Sequence, residues 1–422
     1  MPPAGDPLSA DSMSDAGDEL PLAGVLVLDF SQFLAGPVAA LRLADLGARV
    51  IKIERPGTGD IGRALAFGGI EVDGDTLSFQ IMNRGKESFA ADLKDSDGLR
   101  TVKRLVARAD VLIENFRPGV MERLGLDYDT VRALNPRLVY GSVTGYGTVG
   151  PWRALPGQDL LAQSMSGLPW LNGSRNEGPI PVGLSIADLL ASCHLAEGIT
   201  ALLYRRERTG VGGRVETSLM EGMLDLQFEL LSARLNDPDV AVLRGGPHNA
   251  NAFLSAPYGV YPTRDGYLAI AMNPVPRVGE LVGLEALRAF EDPQTWWSER
   301  DTIEQLLADH LAHEPTQHWL DLLRPADVWC APVLTLPELI AHEGFQSLGM
   351  TQVVERPAIG GEHDARLTTT RSPIRVDGRI LRRRTGAPRL GEHTEALMLE
   401  FGLDADDVGA GQPRLSRAGD SA

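Results

Sequence analysis

The sequence predicts an α/β fold, with a Rossmann-like large domain joined to a small α+β domain. Three observations predict it. Short apolar runs alternate with helical stretches from Val25 onward, glycine-containing turns stand where a strand hands over to a helix, and beyond residue 235 the pattern changes to a hairpin followed by helices. A chain of 422 residues with 43% hydrophobic content can bury a large core and divides into two or three folding units on length alone.

The first element is the apolar run from Val25 to Phe30, of strand type. The turn Leu34-Ala35-Gly36-Pro37 then opens a helix from Val38 to Leu46, closed by Gly47, and the strand Val50 to Glu54 follows. Strand, turn, helix and strand within about thirty residues make a βαβ unit and imply a parallel sheet. The dinucleotide fingerprint Gly-x-Gly-x-x-Gly is absent from the first turn, but a turn of small residues still lets a ligand approach the backbone. Next come Asn83, Arg84, Gly85, Lys86, Lys94, Arg100, Lys103, Arg104 and Arg108, whose charges read by default as solvated faces. After the strand Val111 to Glu114, Asn115-Phe116-Arg117-Pro118-Gly119 leads into a helix that Pro118 begins and that carries Arg123. Arg117 and Arg123 stand apart from the other charges, because open α/β sheets bind ligands at the carboxyl ends of their strands. A strand from Arg137 to Val143 precedes the glycine-rich loop Thr144 to Pro151, which lacks the Gly-Lys-Ser/Thr ending of a P-loop. Gly157-Gln158-Asp159 begins a helix. A longer one runs from near Asp188 to Arg205, Arg206 and Arg208, closed by Gly210. The strand Arg214 to Ser218 and a helix from Met220 to Leu235 complete this part.

Linker-like stretches at 236–239 and 244–251 introduce the smaller domain, in which 257–261 and 267–271 read as a hairpin and helices run from Val278 to Leu323. Ala331 to Thr335 reads as the connection back, followed by strands around Val353 and Ile374 and a helix from Gly391 to Phe401. The boundaries expected are a disordered acidic tail over 1–20, the large domain over 21–235, the small domain over 236–330, a return segment over 331–405 and a disordered end over 406–422.

A formal net charge of −17 argues against nucleic-acid binding, which needs a basic face. The N-terminus lacks the pattern of a signal peptide and no apolar run approaches the ~20 residues of a membrane span, so no membrane partner and a cytoplasmic location are expected. The two cysteines, Cys193 and Cys330, read as buried apolar residues. All eight histidines lie at or beyond His194, and no metal-ligand or serine-hydrolase motif occurs. His310 and His313 read as surface residues, and Trp296-Trp297 as packing. No metal is expected.

Asp188 has two readings. It caps its helix, as acidic residues in a first turn commonly do, or it is a carboxylate nucleophile. Without metal or imidazole, a lone carboxylate can still do covalent work on an activated substrate such as a thioester, by expelling a thiolate and holding the acyl group as an anhydride.

At this point the chain resembles the class III coenzyme A-transferases of the CaiB/BaiF type, which include formyl-CoA:oxalate and carnitine CoA-transferases and, as a racemase branch, α-methylacyl-CoA racemase. The resemblance runs from Leu22 to Leu403. It rests on Val27-Leu-Asp-Phe30 with Ala35-Gly-Pro37, on Leu46-Gly-Ala-Arg-Val-Ile-Lys-Ile-Glu-Arg-Pro56 and on Asn115-Phe-Arg-Pro-Gly119. Asn135-Pro-Arg-Leu-Val-Tyr140, the Asp188 helix ending Arg208-Thr-Gly210, and Gly391-Glu-His-Thr394 add to it. The resemblance implies a Rossmann-like domain plus a small domain in an interlocked homodimer. It implies Asp188 as the residue that carries the acyl group and then CoA. It also implies contacts to the CoA thioester substrate at Leu34, Ala35, Arg55, Ala91 to Lys94, Asn115, Phe116, Arg117, Arg123 and Gln158, with no permanently bound cofactor.

The racemase branch uses a histidine thirty positions before the aspartate. Here that position is Gln158, which cannot take a proton at neutral pH, and an acidic residue of the branch is replaced by Asn273. The expected activity is therefore transfer of CoA from an acyl-CoA to a small carboxylic acid. An intramolecular CoA shuttle within one dicarboxylic acid, a racemase or epimerase, and a CoA-binding protein without catalysis are the alternatives. The glycine run that forms a lid in oxalate-specific members is replaced by Gly245-Gly-Pro-His-Asn-Ala-Asn251. Trp152, Trp170 and the loop from Arg244 to Asn251 are candidates for shaping the acyl pocket.

Overall fold

Five of the expected strands and a sixth that the sequence did not predict, Glu87–Ala90, line up in one parallel sheet in a computed structural model that describes residues 20–65, 67–239, 244–358 and 364–403. They are β1 (Leu26–Asp29), β2 (Arg49–Glu54), β3 (Glu87–Ala90), β4 (Val111–Glu114), β5 (Val139–Thr144) and β6 (Gly213–Ser218). Their order across the sheet is β3-β2-β1-β4-β5-β6, with every neighbouring pair parallel and Val27 standing between Val50 and Val111. Strand order reverses between β1 and β4, which opens a crevice at their carboxyl ends where such sheets take ligands.

The crossovers are helical: α1 (Ala35–Asp45), α2 (Leu77–Asn83), α3 (Ser96–Val106), α4 (Val120–Leu124), α5 (Tyr128–Leu134) and α6 (Ile186–Thr209). Leu28, Ile51, Phe89 and Leu112 on the strands lose all exposure against Val102 and Leu105 of α3, each such side chain contributing about 2 kcal/mol over an exposed one. The helix Thr394–Glu400 adds Leu397 and Met398 to this cluster. Across the sheet, α6 approaches β5 and β6 through two glycines. A Cβ at Gly141 would stand 2.9 Å from Ile199 Cδ1, and one at Gly198 would stand 2.6 Å from Val215 Cγ1.

The chain divides into two units, residues 1–157, 188–221 and 350–422 in one and 158–187 and 222–349 in the other. In the second, β7 (Gly259–Pro262), β8 (Tyr267–Ile270) and β9 (Cys330–Pro332) form an antiparallel sheet in the order β9-β8-β7. Tyr261, Leu268, Leu307, Leu311 and Trp319 fill its core. In the first, β10 (Thr351–Arg356) pairs with β11 (Ala365–Thr370), and Arg383 Nε reaches Ala44 O of α1 at 3.0 Å.

Several local expectations are corrected. The stretch expected as a connection at 331–335 begins inside β9, because Pro332 and Ala331 pair with Leu268 and Ala269. The helix expected from Met220 to Leu235 is two, Leu219–Leu226 and Phe228–Asn236, interrupted at Gln227. Pro118 does not begin a helix; Gly119, with φ 86°, precedes the five-residue α4. Cys193 is exposed and Cys330 half-buried. His310 is no surface residue, since its Nε2 lies 2.8 Å from Val282 O and its ring centroid 5.4 Å from that of Trp319. Helix α6 is long and apolar enough, by length and composition, to cross a membrane, contrary to the expectation that no run approaches that length; Leu195 and Ile199 on it are fully buried. Residues 1–19 of the expected acidic tail and the expected disordered end at 406–422 lie outside the described residues.

Candidate active site

Four cations named from the sequence fall at or just beyond the carboxyl edge of the sheet. Arg55 follows β2, Lys94 follows β3, Arg117 follows β4, and Arg123 lies in α4. All four side chains are exposed, and among the described residues none takes part in an ion pair. That is notable in a chain with 17 more acidic than basic residues. Elsewhere on β2 and near α2, Arg49, Lys52, Arg63, Arg84 and Lys86 are all paired. Strand ends from β3 to β4 cover three interstrand spacings, about 15 Å. An edge of this length with unpaired cations suits an extended anionic ligand.

The backbone at the edge is set by short-range chemistry. Ala91 is buried and donates its N–H to Glu54 O at 2.9 Å; Lys94 N donates to Asp92 Oδ1 at 2.9 Å, and Asp95 caps α3. Asn115 spans the switch point, with Oδ1 accepting from Gln32 N at 2.8 Å and Nδ2 donating to Gln32 O at 2.7 Å. Leu34 and Ala35 open α1, where Gly36 packs so closely that a Cβ would stand 2.2 Å from Ser31 Cβ.

Phe116 is half-buried and donates its N–H to Glu114 Oε2 at 2.9 Å. Burial pushes the Glu114 carboxyl up to about 7 from 4.5. The folded state therefore holds more protons than the unfolded between those two pH values, and stability falls as pH rises through that window. Glu114→Gln, which keeps an acceptor for Phe116 N–H, is expected to gain about 2–3 kcal/mol over the native protein at pH 8 and nothing at pH 4. Urea unfolding at the two pH values reads the difference, and equal effects at both would refute the assignment.

Asp188 is half-buried in the first turn of α6. Helix α6 ends beside the amino end of β5, where Gly212 N donates to Pro136 O at 3.0 Å, so the helix runs against the strands. Leu195 and Ile199 stand over Gly141 in mid-strand, and Asp188 lies seven residues earlier, about 10 Å closer to the carboxyl edge. In the second unit the buried Asp159 takes the N–H of Ala187, the second residue of α6, on Oδ1 at 2.7 Å. Gln158, in that unit, is exposed and acts as the cap of the helix Asp159–Ser166, accepting from Leu160 N at 3.0 Å. Asn273 Nδ2 donates to Ala271 O. Trp152 and Trp170 are both exposed, and Arg244 is buried, donating to Asn172 O at 2.7 Å and Gly178 O at 2.9 Å.

Behind the edge lies a buried charge cluster that the sequence reading left as ordinary strand and surface residues. Asp29, Lys52 and Lys86 have no side-chain exposure. Lys86 Nζ donates to Asp29 Oδ2 at 2.8 Å, Pro37 O at 2.9 Å and Asn83 Oδ1 at 2.9 Å. Lys52 Nζ donates to Ser31 O at 2.7 Å and meets Asp60 Oδ2 at 2.8 Å. Burial opposes the charge on Asp29, but Lys52 and Lys86 outweigh it and hold the carboxyl down at about 2. Burial pulls Lys86 down to about 8. The cluster continues through Glu54, Arg63 and Asp75 to Arg356 of β10. The available signal was Lys52 itself: a lysine flanked by Val50, Ile51 and Ile53 in a strand between two others must find a buried partner. Among the described residues no three His, Cys, Asp or Glu side chains are grouped to hold a metal ion.

A six-stranded parallel sheet with its strand order reversing between β1 and β4 and helices as crossovers defines an open, doubly wound α/β protein. The family model described as CoA-transferase family III matches residues 22–394, and the chain belongs to that family of enzymes. It is 33% identical over 395 residues to a succinate–glutarate CoA-transferase of Agrobacterium fabrum, covering 90% of this chain and 96% of the relative. It is 34% identical over 390 residues to an acetyl-CoA:oxalate CoA-transferase of Acetobacter aceti, with the same coverage. Among solved structures, a CAIB/BAIF family protein from Brucella suis superimposes with a TM-score of 0.77 at 31% identity, covering 90% of this chain and 99% of that one.

Proposed function

We propose that this enzyme moves CoA from an acyl-CoA to a small carboxylic acid, with Asp188 as the covalent carrier. The observation that carries the reading is the row of unpaired Lys94, Arg55 and Arg117 after β3, β2 and β4 on one edge of the sheet, together with Arg123, in a protein of strongly negative net charge. The phosphates of a CoA thioester would meet these cations, with Leu34, Ala35, Ala91, Asn115 and Phe116 shaping the backbone path between them. The Asp188 carboxylate attacks the thioester carbonyl and the CoA thiolate leaves, giving a mixed anhydride. The thiolate then attacks the aspartyl carbonyl and releases the donor acid, leaving aspartyl-CoA. An acceptor carboxylate repeats the two steps in reverse and restores Asp188. No water is consumed and no electrons change hands, so the exchange needs only a site that keeps the thiolate close.

Gln158 supports transfer over racemisation, since its side-chain oxygen is engaged as a helix cap and an amide takes no proton at neutral pH. The named relatives act on succinate, glutarate and oxalate, which supports a dicarboxylic acceptor. The family resemblance supports an interlocked homodimer as the working form.

The test is exchange. The purified protein is incubated with acetyl-, succinyl- and formyl-CoA against mono- and dicarboxylates, and the intact protein is weighed after each donor. Formation of a new acyl-CoA and a CoA mass adduct on the Asp188 peptide, cleaved by hydroxylamine, is the expected result. Turnover of a single dicarboxylic acyl-CoA without added acceptor would instead identify the intramolecular shuttle. Absence of both exchange and adduct across the panel overturns the proposal.

A further inference from the structure

The turn between β1 and α1 has no regular structure, yet its backbone is held at five points by four side chains. Ser31 N donates to Asp29 Oδ1 at 3.0 Å, and Ser31 O accepts from Lys52 Nζ at 2.7 Å. Gln32 is gripped on both sides by Asn115, with 2.8 and 2.7 Å contacts. Phe33 N donates to Asp60 Oδ1 at 3.2 Å. Phe33 has φ 65°, a left-handed conformation that a bulky aromatic adopts only when its surroundings impose it, and its side chain is 49% exposed. The next two residues are Leu34 and Ala35, the start of the proposed CoA path.

Asp60 joins both halves of this grip. Its Oδ1 takes the amides of Phe33 and of Gly62, the latter at 2.8 Å, while its Oδ2 meets Lys52, which in turn holds Ser31. Its own amide is fastened to Glu54 Oε1 at 3.0 Å. It is 2% exposed and comes from the loop after β2, a different segment from the turn it holds.

We propose that Asp60 is a positioning residue for coenzyme A: it touches no substrate, but it keeps Phe33 left-handed and thereby aims Leu34 and Ala35 along the sheet edge. This rests on the reading of that edge as the CoA site. Without the Oδ1 acceptor, Phe33 relaxes toward φ below zero and the start of α1 turns away from the edge. Asp60→Asn keeps an oxygen for the two amides and loses the charge facing Lys52, so it separates the local grip from the ion pair.

The experiment measures binding of free coenzyme A by calorimetry and KM and kcat for acyl-CoA, with urea midpoints recorded in parallel. The native protein binds coenzyme A; a native protein that does not bind removes the reading of the edge and this inference with it. Asp60→Ala is expected to raise Kd and KM about tenfold with kcat within about threefold, and Asp60→Asn to restore most of the affinity while remaining less stable than native, a split that a purely structural role would not produce. If Asp60→Ala does not fold, Asp60→Ser, too short to reach both amides, is measured in its place with the same expectation. A folded Asp60→Ala or Asp60→Ser protein that binds coenzyme A within twofold of native, or loss of affinity that merely follows the urea midpoint through all variants, overturns the proposal.

Discussion

Replacing Asp188 by alanine is expected to lower turnover at least about 10³-fold while leaving coenzyme A affinity within about threefold, a loss of roughly 4 kcal/mol in barrier terms. The asymmetry follows from where the two functions sit. The unpaired cations Arg55, Lys94, Arg117 and Arg123 belong to the loops after three strands and to α4, and none lies on α6. Removing the carboxylate takes away the only proposed acyl carrier and leaves the anion-binding edge as it was. Asp188→Asn should behave the same way, since an amide is a poor nucleophile toward a thioester. The CoA mass adduct should vanish in both variants. A turnover number close to native in either one would show that some other group carries the acyl chain. A merely capping Asp188 would instead lower stability by about 1 kcal/mol with little kinetic effect.

The largest stability loss is expected at Lys52. Lys52→Met leaves Asp60 buried with no cation at 2.8 Å and removes the hydrogen bond to Ser31 O, while Asp29 keeps Lys86. Breaking a buried pair from one side costs about 3–5 kcal/mol, because the remaining charge has neither water nor a partner. That is a large part of the roughly 5–15 kcal/mol by which a domain is stable, so the urea midpoint at pH 7 should fall sharply. Restoring neutrality with Lys52→Met and Asp60→Asn together should recover part of the loss; two simply additive losses would refute the coupling. The same cluster sets an acid limit. Asp29 is held at about 2 against an ordinary 3.8, so the unfolded chain binds protons first. The contribution of Asp29, about 2 kcal/mol, is complete above pH 4 and disappears as pH falls toward 2.

Much of this architecture is legible before any coordinates are considered. Alternating strand and helix patterns with small-residue turns dictate a parallel sheet, because only a crossover helix can return the chain to the same edge. Arg117 and Arg123 could be named because open α/β sheets take ligands beyond the ends of their strands, whereas Leu34, Ala35, Arg55, Ala91 and Asn115 could be named only through the resemblance to the family. Asp188 could be placed in the first turn of its helix from the cations and glycine that end it. In each case the information lies within one element and the turns that bound it.

The linear chain did not disclose which charges are internal. Lys86 sits in a polar stretch that reads as surface, yet it reaches Asp29 across 57 positions, and Lys52 reaches Ser31 across 21. Neither residue is unusual by itself; each becomes necessary only when the sheet brings its partner to hydrogen-bond distance. The same holds for Gln158–Ala187, which folds with the second unit, and for Cys330–Pro332, which becomes a strand because Tyr267–Ile270 offers it an edge. By itself the sequence determined the alternation of strand and helix, five of the six strands and the family. The tertiary structure alone decided how the turn after β1 is held, because the groups that hold it come from Asp29, Lys52, Asp60 and Asn115, and only folding brings those segments together.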